Sequence, residues 1–284
     1  MQRKLHPLEG IVAVFALFFV LALTIGFAQA GEARAHKTAS LTKTVYLRSA
    51  SALVQDAATG EIVIDKNSEI VTPIASITKL MTAMVIIDSG LDMDARIVLE
   101  RNDIDSKKGS RSRLVTGAIL SRGELMLLAL MASENRAAAA LGRTYPGGQS
   151  AFVAAMNAKA VELGMTDTHF DDPTGLSPHN VSSARDLAKL VRTAHEYPLI
   201  REYSTTLRTT VKVHGRPVAF RNTNGLVRNA RWEIGLSKTG YISEAGRCLV
   251  MQVRLASKDL IVVLLDSWGK QSRIGDAQIG RAHV

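Results

Sequence analysis

The chain has little of several things, and each shortage excludes something. Of 284 residues only one, Cys248, is a cysteine, so no intramolecular disulfide can staple the fold. Leu249, Val250 and Met251 after it read as a strand, and the expectation is a buried small hydrophobe, not a reactive thiol. Aromatic residues make up 5 % and are not interleaved with basic runs, which leaves nucleic acid without a reading surface. No H-E-x-x-H is present, and the seven histidines show no metal-ligand spacing, so a zinc peptidase is not expected and no cofactor is implied. Nor is there a G-x-S-x-G elbow; His169, His179 and His195 read as surface or capping residues. Beyond residue 27 no run is long and apolar enough to cross a bilayer.

What is present starts with an apolar run from Ile11 to Phe27, preceded by Arg3 and Lys4 and followed by Ala28-Gln29-Ala30. That is the pattern of an export signal cut after Ala30, with Ala33-Arg34-Ala35 as a second possible cut; an uncleaved anchor is the other reading. Residues 31–48 read as a polar linker and 49–284 as a single domain. The net charge of +9 suits a protein exported to an anionic envelope, with peripheral association as one consequence and a merely solvated basic surface as the alternative.

Strands are predicted at both ends of the domain: strand-like apolar stretches at 52–54 and 62–64 joined by a turn at 56–60, then, where the period shifts to two after Tyr203, 207–213, 216–220, 233–239, 248–255 and 260–265. Helical spacing predicts helices from Ser76 to Gly90, 122–131, 134–141, 149–163 and 184–195, the last capped by Ser182 or Ser183, with a closing helix after Lys270. Residues 102–117 read as an exposed loop. The order predicts an α/β fold in which the first and last strands share one antiparallel sheet packed with a helical subdomain.

Three Ser-x-x-Lys stretches compete for chemistry: S-L-T-K at 40–43, S-I-T-K at 76–79 and S-W-G-K at 267–270. The motif alone is weak, because chance supplies about one in a chain this long. Ser40 lies in the polar linker. Ser267 follows a strand, where capping the last helix is its expected job. Ser76 opens a periodic helix, so Lys79 lies one turn away on the same face, within reach of its hydroxyl. A lysine base at neutral pH needs a pKa lowered by burial or by a second cation. Ser133-Glu134-Asn135 and Lys238-Thr239-Gly240 supply candidates for the rest of such a site. Each pattern occurs once, although singly Ser133 suits an N-cap, Asn135 a packing amide and Lys238 a solvated strand lysine.

In this order S-x-x-K, S-x-N and K-T-G resemble the penicillin-binding proteins and active-site serine β-lactamases. P-I-A-S-I-T-K-L-M-T-A-M at 73–84, L-A-L-M-A-S-E-N-R-A-A at 128–138, D-P-T-G-L-S at 172–177, N-T-N-G-L at 222–226 and K-T-G-Y at 238–241 are similar to the low-molecular-weight D-alanyl-D-alanine peptidases. The similarity runs from about 48 to 275 and is strongest to the compact endopeptidase branch. It implies a transpeptidase-like fold, peptidoglycan peptide stems as substrate, β-lactams as covalent inhibitors and a periplasmic location. It implies Ser76 as nucleophile, Lys79 as its base and Ser133 as proton relay. Asn135, Lys238, Thr239, Gly240 and Tyr241 would bind substrate, with the N–H groups of Ser76 and Tyr241 forming an oxyanion hole. Cleavage of D-Ala–meso-diaminopimelate cross-bridges is expected, with D-alanyl-D-alanine carboxypeptidase activity or a non-catalytic wall-binding role as alternatives. The carboxypeptidase reading needs a late arginine for the terminal carboxylate, for which Arg247 and Arg254 are the candidates. The middle motif is S-E-N, not S-D-N, and no deacylating glutamate is recognisable, so slow acylation by β-lactams is expected over their efficient hydrolysis.

Overall fold

The computed structural model describes residues 46–255 and 258–282. The export signal, most of the linker and Ser40 lie outside the described residues. In chain order the elements are β1 (Ser49–Asp56), β2 (Ile62–Lys66), β3 (Thr72–Pro73), a 3-10 turn (Ala75–Thr78), α1 (Lys79–Asp88), β4 (Arg96–Val98), β5 (Ile119–Ser121), α2 (Arg122–Met131), α3 (Asn135–Arg143) and α4 (Gly148–Glu162). Then follow β6 (Val181–Ser182), α5 (Ala184–Ala194), α6 (Pro198–Thr205), β7 (Arg208–Val213), β8 (Arg216–Arg221), β9 (Glu233–Ile242), β10 (Gly246–Leu255), β11 (Lys258–Ser267) and α7 (Lys270–Ala282).

Five strands form one antiparallel sheet in the order β2-β1-β11-β10-β9, so the N-terminal hairpin pairs with the C-terminal strands as expected. Helix α5 packs against β11, β1 and β10, and α7 packs against the same three strands. Apolar side chains of both pleats are therefore buried, which explains the unbroken run Leu260–Leu265 where a sheet with one wet face would alternate. Ser267 ends β11. Its Oγ lies 2.5 Å from Ser49 Oγ, which in turn donates to Asp276 of α7 at 2.6 Å, so two strands and a helix are tied by one buried network.

Helix α1 is buried on every side from Lys79 to Ile86, not along one face, because α2, α3, α4, α5 and α6 all contact it. Ser121 and Glu124 form a reciprocal capping box at the start of α2, and Ser183 caps α5. Sequence periodicity overlooked α6, which Pro198 opens at a first-turn position where its missing N–H costs nothing. The 102–117 segment is anchored more firmly than a loop reading suggests. Arg143 grips the nearly buried Asp103 carboxylate with Nε and Nη2 at 2.9 and 3.0 Å, Ser112 donates to Glu134 at 2.7 Å, and the Arg113 guanidinium lies 4.1 Å over Phe220.

Candidate active site

Ser76 lies in the 3-10 turn, and Lys79 is the first residue of α1. The turn is held from both sides by glycines. Ala75 has φ +48°, an uncommon conformation for a residue with a Cβ. Gly175, at φ +80°, lies so close that an added Cβ would fall 2.0 Å from Ala75 O and 2.8 Å from Ser76 N. On the other side, a Cβ on Gly240 of β9 would stand 3.0 Å from Ser76 N. Thus the glycines of D-P-T-G and K-T-G are there because backbone presses on backbone. Gly175→Ala is expected to lower the β-lactam acylation that the resemblance implies by about a hundredfold, or to unfold the protein, since neither clashing atom is a movable side chain. Stopped-flow acylation alongside circular dichroism would check it; near-normal acylation would show that the turn tolerates displacement.

Lys79 is fully buried. Its Nζ lies 2.7 Å from Ser76 Oγ, 2.7 Å from Asn135 Oδ1 and 2.5 Å from the Thr174 carbonyl. Burial drives its pKa down, and Asp172, Glu134 and Asp105 push it back only part of the way, to about 7. A neutral amine has two hydrogens and one lone pair. Asn135 Oδ1 and the Thr174 carbonyl can only accept, so they take the two hydrogens, and the lone pair is left facing the one neighbour that can donate, Ser76 Oγ–H. The Nδ2 of Asn135 donates to Ser110 Oγ at 2.8 Å.

Lys238, also buried, donates to Ser133 Oγ at 3.0 Å and to the Thr239 carbonyl at 3.0 Å. Ser133 has φ +58°, a second strained residue beside the cleft. Burial lowers the pKa of Lys238 well below that of a free lysine, and the charges of Lys79 and Arg273 lower it further. Burial thus does for Lys79 what a second cation was also expected to do, and the two amines crowd the same region. Thr239 Oγ1 lies 2.7 Å from Thr223 Oγ1, joining K-T-G to N-T-N.

Several site residues were not singled out in advance. The Thr174 carbonyl belongs to a loop organised by Asp172, whose carboxylate accepts from Thr174 N and Oγ1, Gly175 N and Ser177 N at 2.7 Å each. Burial raises the Asp172 pKa, but these bonds outweigh it and hold the group ionised. Asn180 braces the same loop, donating to Thr78 Oγ1 at 3.0 Å and to the Asp172 carbonyl at 2.9 Å. Lys107 pairs with Asp172 at 3.3 Å, and Lys108 with Glu244, so the 102–117 segment reaches from the D-P-T-G loop to the β9–β10 turn.

Of the two late arginines, Arg254 is engaged at the far end of β10 with Asp259 and Glu233. Arg247 pairs in register with Tyr241, its guanidinium 4.5 Å over that ring. A third late arginine, Arg273 of α7, not singled out from the sequence, donates to the Cys248 carbonyl at 3.2 Å; Cys248 is the register partner of Gly240. Cys248 itself is fully buried, and burial pushes its thiol up to about 11, as a packing residue requires.

A family model for D-alanyl-D-alanine carboxypeptidase, peptidase S11, matches residues 35–269. The chain belongs to this family. Among curated members, the D-alanyl-D-alanine endopeptidase of Pseudomonas aeruginosa is 46 % identical over 259 residues, covering 90 % of this chain and 84 % of that one. The D-alanyl-D-alanine endopeptidase of Escherichia coli K12 is 43 % identical over 269 residues, covering 94 % and 86 %. The crystal structure of the Streptomyces K15 DD-transpeptidase superposes with a TM-score of 0.78 at 26 % identity, over 84 % of this chain and 97 % of that one. Membership in the S11 family makes the chain a serine hydrolase. The fold is the transpeptidase-like one the sequence predicted.

Proposed function

We propose that the chain is an exported, periplasmic serine DD-peptidase that opens D-Ala–meso-diaminopimelate cross-bridges in peptidoglycan and is acylated by penicillin. The arrangement of acceptors around Lys79, which leaves a neutral amine's lone pair facing Ser76, carries the chemical half of this reading. The endopeptidase names of the relatives at 46 % and 43 % identity carry the choice of bond.

The reaction follows from the groups in place. Lys79 takes the Ser76 proton as Oγ attacks the D-alanyl carbonyl. The carbonyl oxygen becomes an oxyanion held by the N–H groups of Ser76 and Tyr241, a pair of donors of a kind worth about 2.7–4 kcal/mol each. The proton then passes to the leaving amine through Ser133, whose hydroxyl Lys238 orients. The C–N bond breaks, the amine departs, and Ser76 carries the D-alanyl ester until water, deprotonated by Lys79, hydrolyses it. Asn135, Thr239 and Gly240 would bind the substrate backbone.

In a cross-bridge the amine released from D-Ala carries a free carboxylate on its α-carbon, as a terminal D-Ala does. Lys238, Arg247 and Arg273 converge on the end of β9 where that anion would lie, so one anion site serves endopeptidase and carboxypeptidase substrates alike. Digestion of purified dimeric and monomeric muropeptides, with products identified by mass, separates the two. Release of monomers from dimers is the expected result. Loss of one D-alanine from monomers with dimers intact would replace the endopeptidase reading by the carboxypeptidase one, and no turnover of either would leave a wall-binding protein.

A further inference from the structure

The two lysines at the tip of the 102–117 segment turn to opposite walls of the cleft. Asp105 builds this tip, accepting from the N–H groups of Lys107, Lys108 and Ser110 at 2.8, 2.9 and 2.7 Å. Lys107 Nζ turns to the D-P-T-G wall, 3.5 Å from Asp171 and 3.3 Å from Asp172. Lys108 Nζ turns to the β9 wall and pairs with Glu244, in the turn between β9 and β10. Glu244 is held for it from its own turn: Ser243 Oγ donates to Oε2 at 2.7 Å, while Lys108 takes Oε1. Ser76 lies between the two walls, with Gly175 on one side of its turn and Gly240 on the other. Ser110 of the same tip accepts from Asn135, the amide that also binds Lys79. One tip therefore bridges both walls beside the nucleophile.

The bridge falls where a peptide has to pass. β9 is the last strand in the sheet order, so one of its edges carries no neighbouring strand. Ser237 N donates across that edge to Ser204 Oγ of α6 at 3.3 Å. Successive N–H groups of a strand point to alternate sides, so those of Thr239 and Tyr241 leave by the same edge. Such an edge takes an extended peptide as a further strand. Its usable length is short. α6 closes it at Ser237, and the Lys108–Glu244 pair closes it just past Ile242. From Thr239 to Ile242 the edge spans about 10 Å, at about 3.3 Å per residue. A β-lactam nucleus fits in that length; a peptide stem with a second stem attached does not.

The pair is also easily opened. The Lys108 and Glu244 side chains are 28 % and 38 % exposed, and an ion pair this wet shifts an equilibrium by at most about fivefold. Gly109, next in the chain, has φ +62° and nothing within 4 Å of the position a Cβ would take, so no packing fixes the tip at that point.

We propose that Lys108 and Glu244 form a clasp across the cleft which peptide stems must open and small β-lactams need not, so that this pair sets the size of substrate admitted. That stems are what it sorts rests on the substrate proposed above. While the clasp is closed a stem cannot bind, and the apparent KM rises by the inverse of the open fraction. Once a stem is bound the clasp is already open, so kcat does not depend on it.

The test compares the full chain with Glu244→Ala and with the charge swap Lys108→Glu/Glu244→Lys. Both residues are exposed and outside the catalytic set, so the variants should fold. Glu244→Ala should lower KM for purified dimeric muropeptides about threefold, within the range of an exposed pair, with kcat unchanged. The rate of acylation by benzylpenicillin should not move. The swap should return KM to the parent value, a rescue that loss of a contact to substrate would not give. Amide hydrogen exchange at residues 106–110, measured without substrate, should be faster in Glu244→Ala and normal in the swap. An unchanged or raised KM in Glu244→Ala overturns the clasp, and so does exchange that fails to respond. KM and acylation rate shifting together also overturn it, because that marks a general disturbance of the site. A parent that cleaves no muropeptide removes the proposed function instead, and the clasp then stands or falls on the exchange result.

Discussion

Ser76→Ala is expected to abolish covalent labelling by a fluorescent penicillin and to lower cross-bridge cleavage by on the order of 10⁴-fold or more, the scale on which removing a nucleophile acts. The Ser76 hydroxyl faces a buried amine. Ser267 spends its hydroxyl on Ser49 in the interior of the β1–β11–α7 junction. Its replacement by alanine should cost about 1 kcal/mol of stability and leave labelling intact. Ser40→Ala should leave both unchanged. Gel fluorescence and intact mass on the three variants decide the matter: labelling that survives in Ser76→Ala sinks the assignment.

Lys79→Arg should lower acylation by about 10²–10⁴-fold, the usual worth of a general base. An arginine does not deprotonate in proteins, so it would place a permanent charge in a fully buried slot and offer Ser76 no lone pair. The parent should show the complementary behaviour with pH. Below a pKa of about 7 the amine is protonated and cannot accept the serine proton, so the acylation rate should rise through neutral pH and level off above it. Stability has the same direction in a higher window. Between about 7 and the ordinary lysine value of 10.5 the unfolded chain holds a proton that the folded site does not, so the Lys79 contribution to stability improves as pH climbs through that interval. Rapid-quench acylation from pH 5.5 to 9 reads the first effect; a flat profile would mean that Lys79 is not the base.

The sheet and the three motifs were readable because each carries a local signature. β1 and β2 declared themselves by short apolar stretches on either side of a turn, and β9 to β11 by apolar runs bounded by polar residues. Ser76 stood out from Ser40 and Ser267 because only its lysine sits one turn along a helix. What stayed hidden depends on atoms brought together from far along the chain. The Thr174 carbonyl meets Lys79 across 95 positions, and a backbone oxygen has no residue code to announce it. Asp172 and Asn180 lie in and just after a recognised motif, yet their work is to hold a loop, which composition cannot distinguish from exposure. Arg273 was passed over because α7 offered no periodic pattern strong enough to predict which side chains turn back onto β10. The all-round burial of α1 is likewise a property of its five neighbours, not of its own spacing.

The sheet order has a consequence for biosynthesis. β1 meets its second neighbour only when β11 arrives, some two hundred residues later, and β9 needs β10 to hold Gly240 against the Ser76 turn. A nascent chain that has emerged only as far as α6 therefore carries Ser76 without the strand that closes against its turn. Such long-range closure favours slow, late folding, and it keeps a wall-cutting enzyme inert until nearly the whole polypeptide has been delivered.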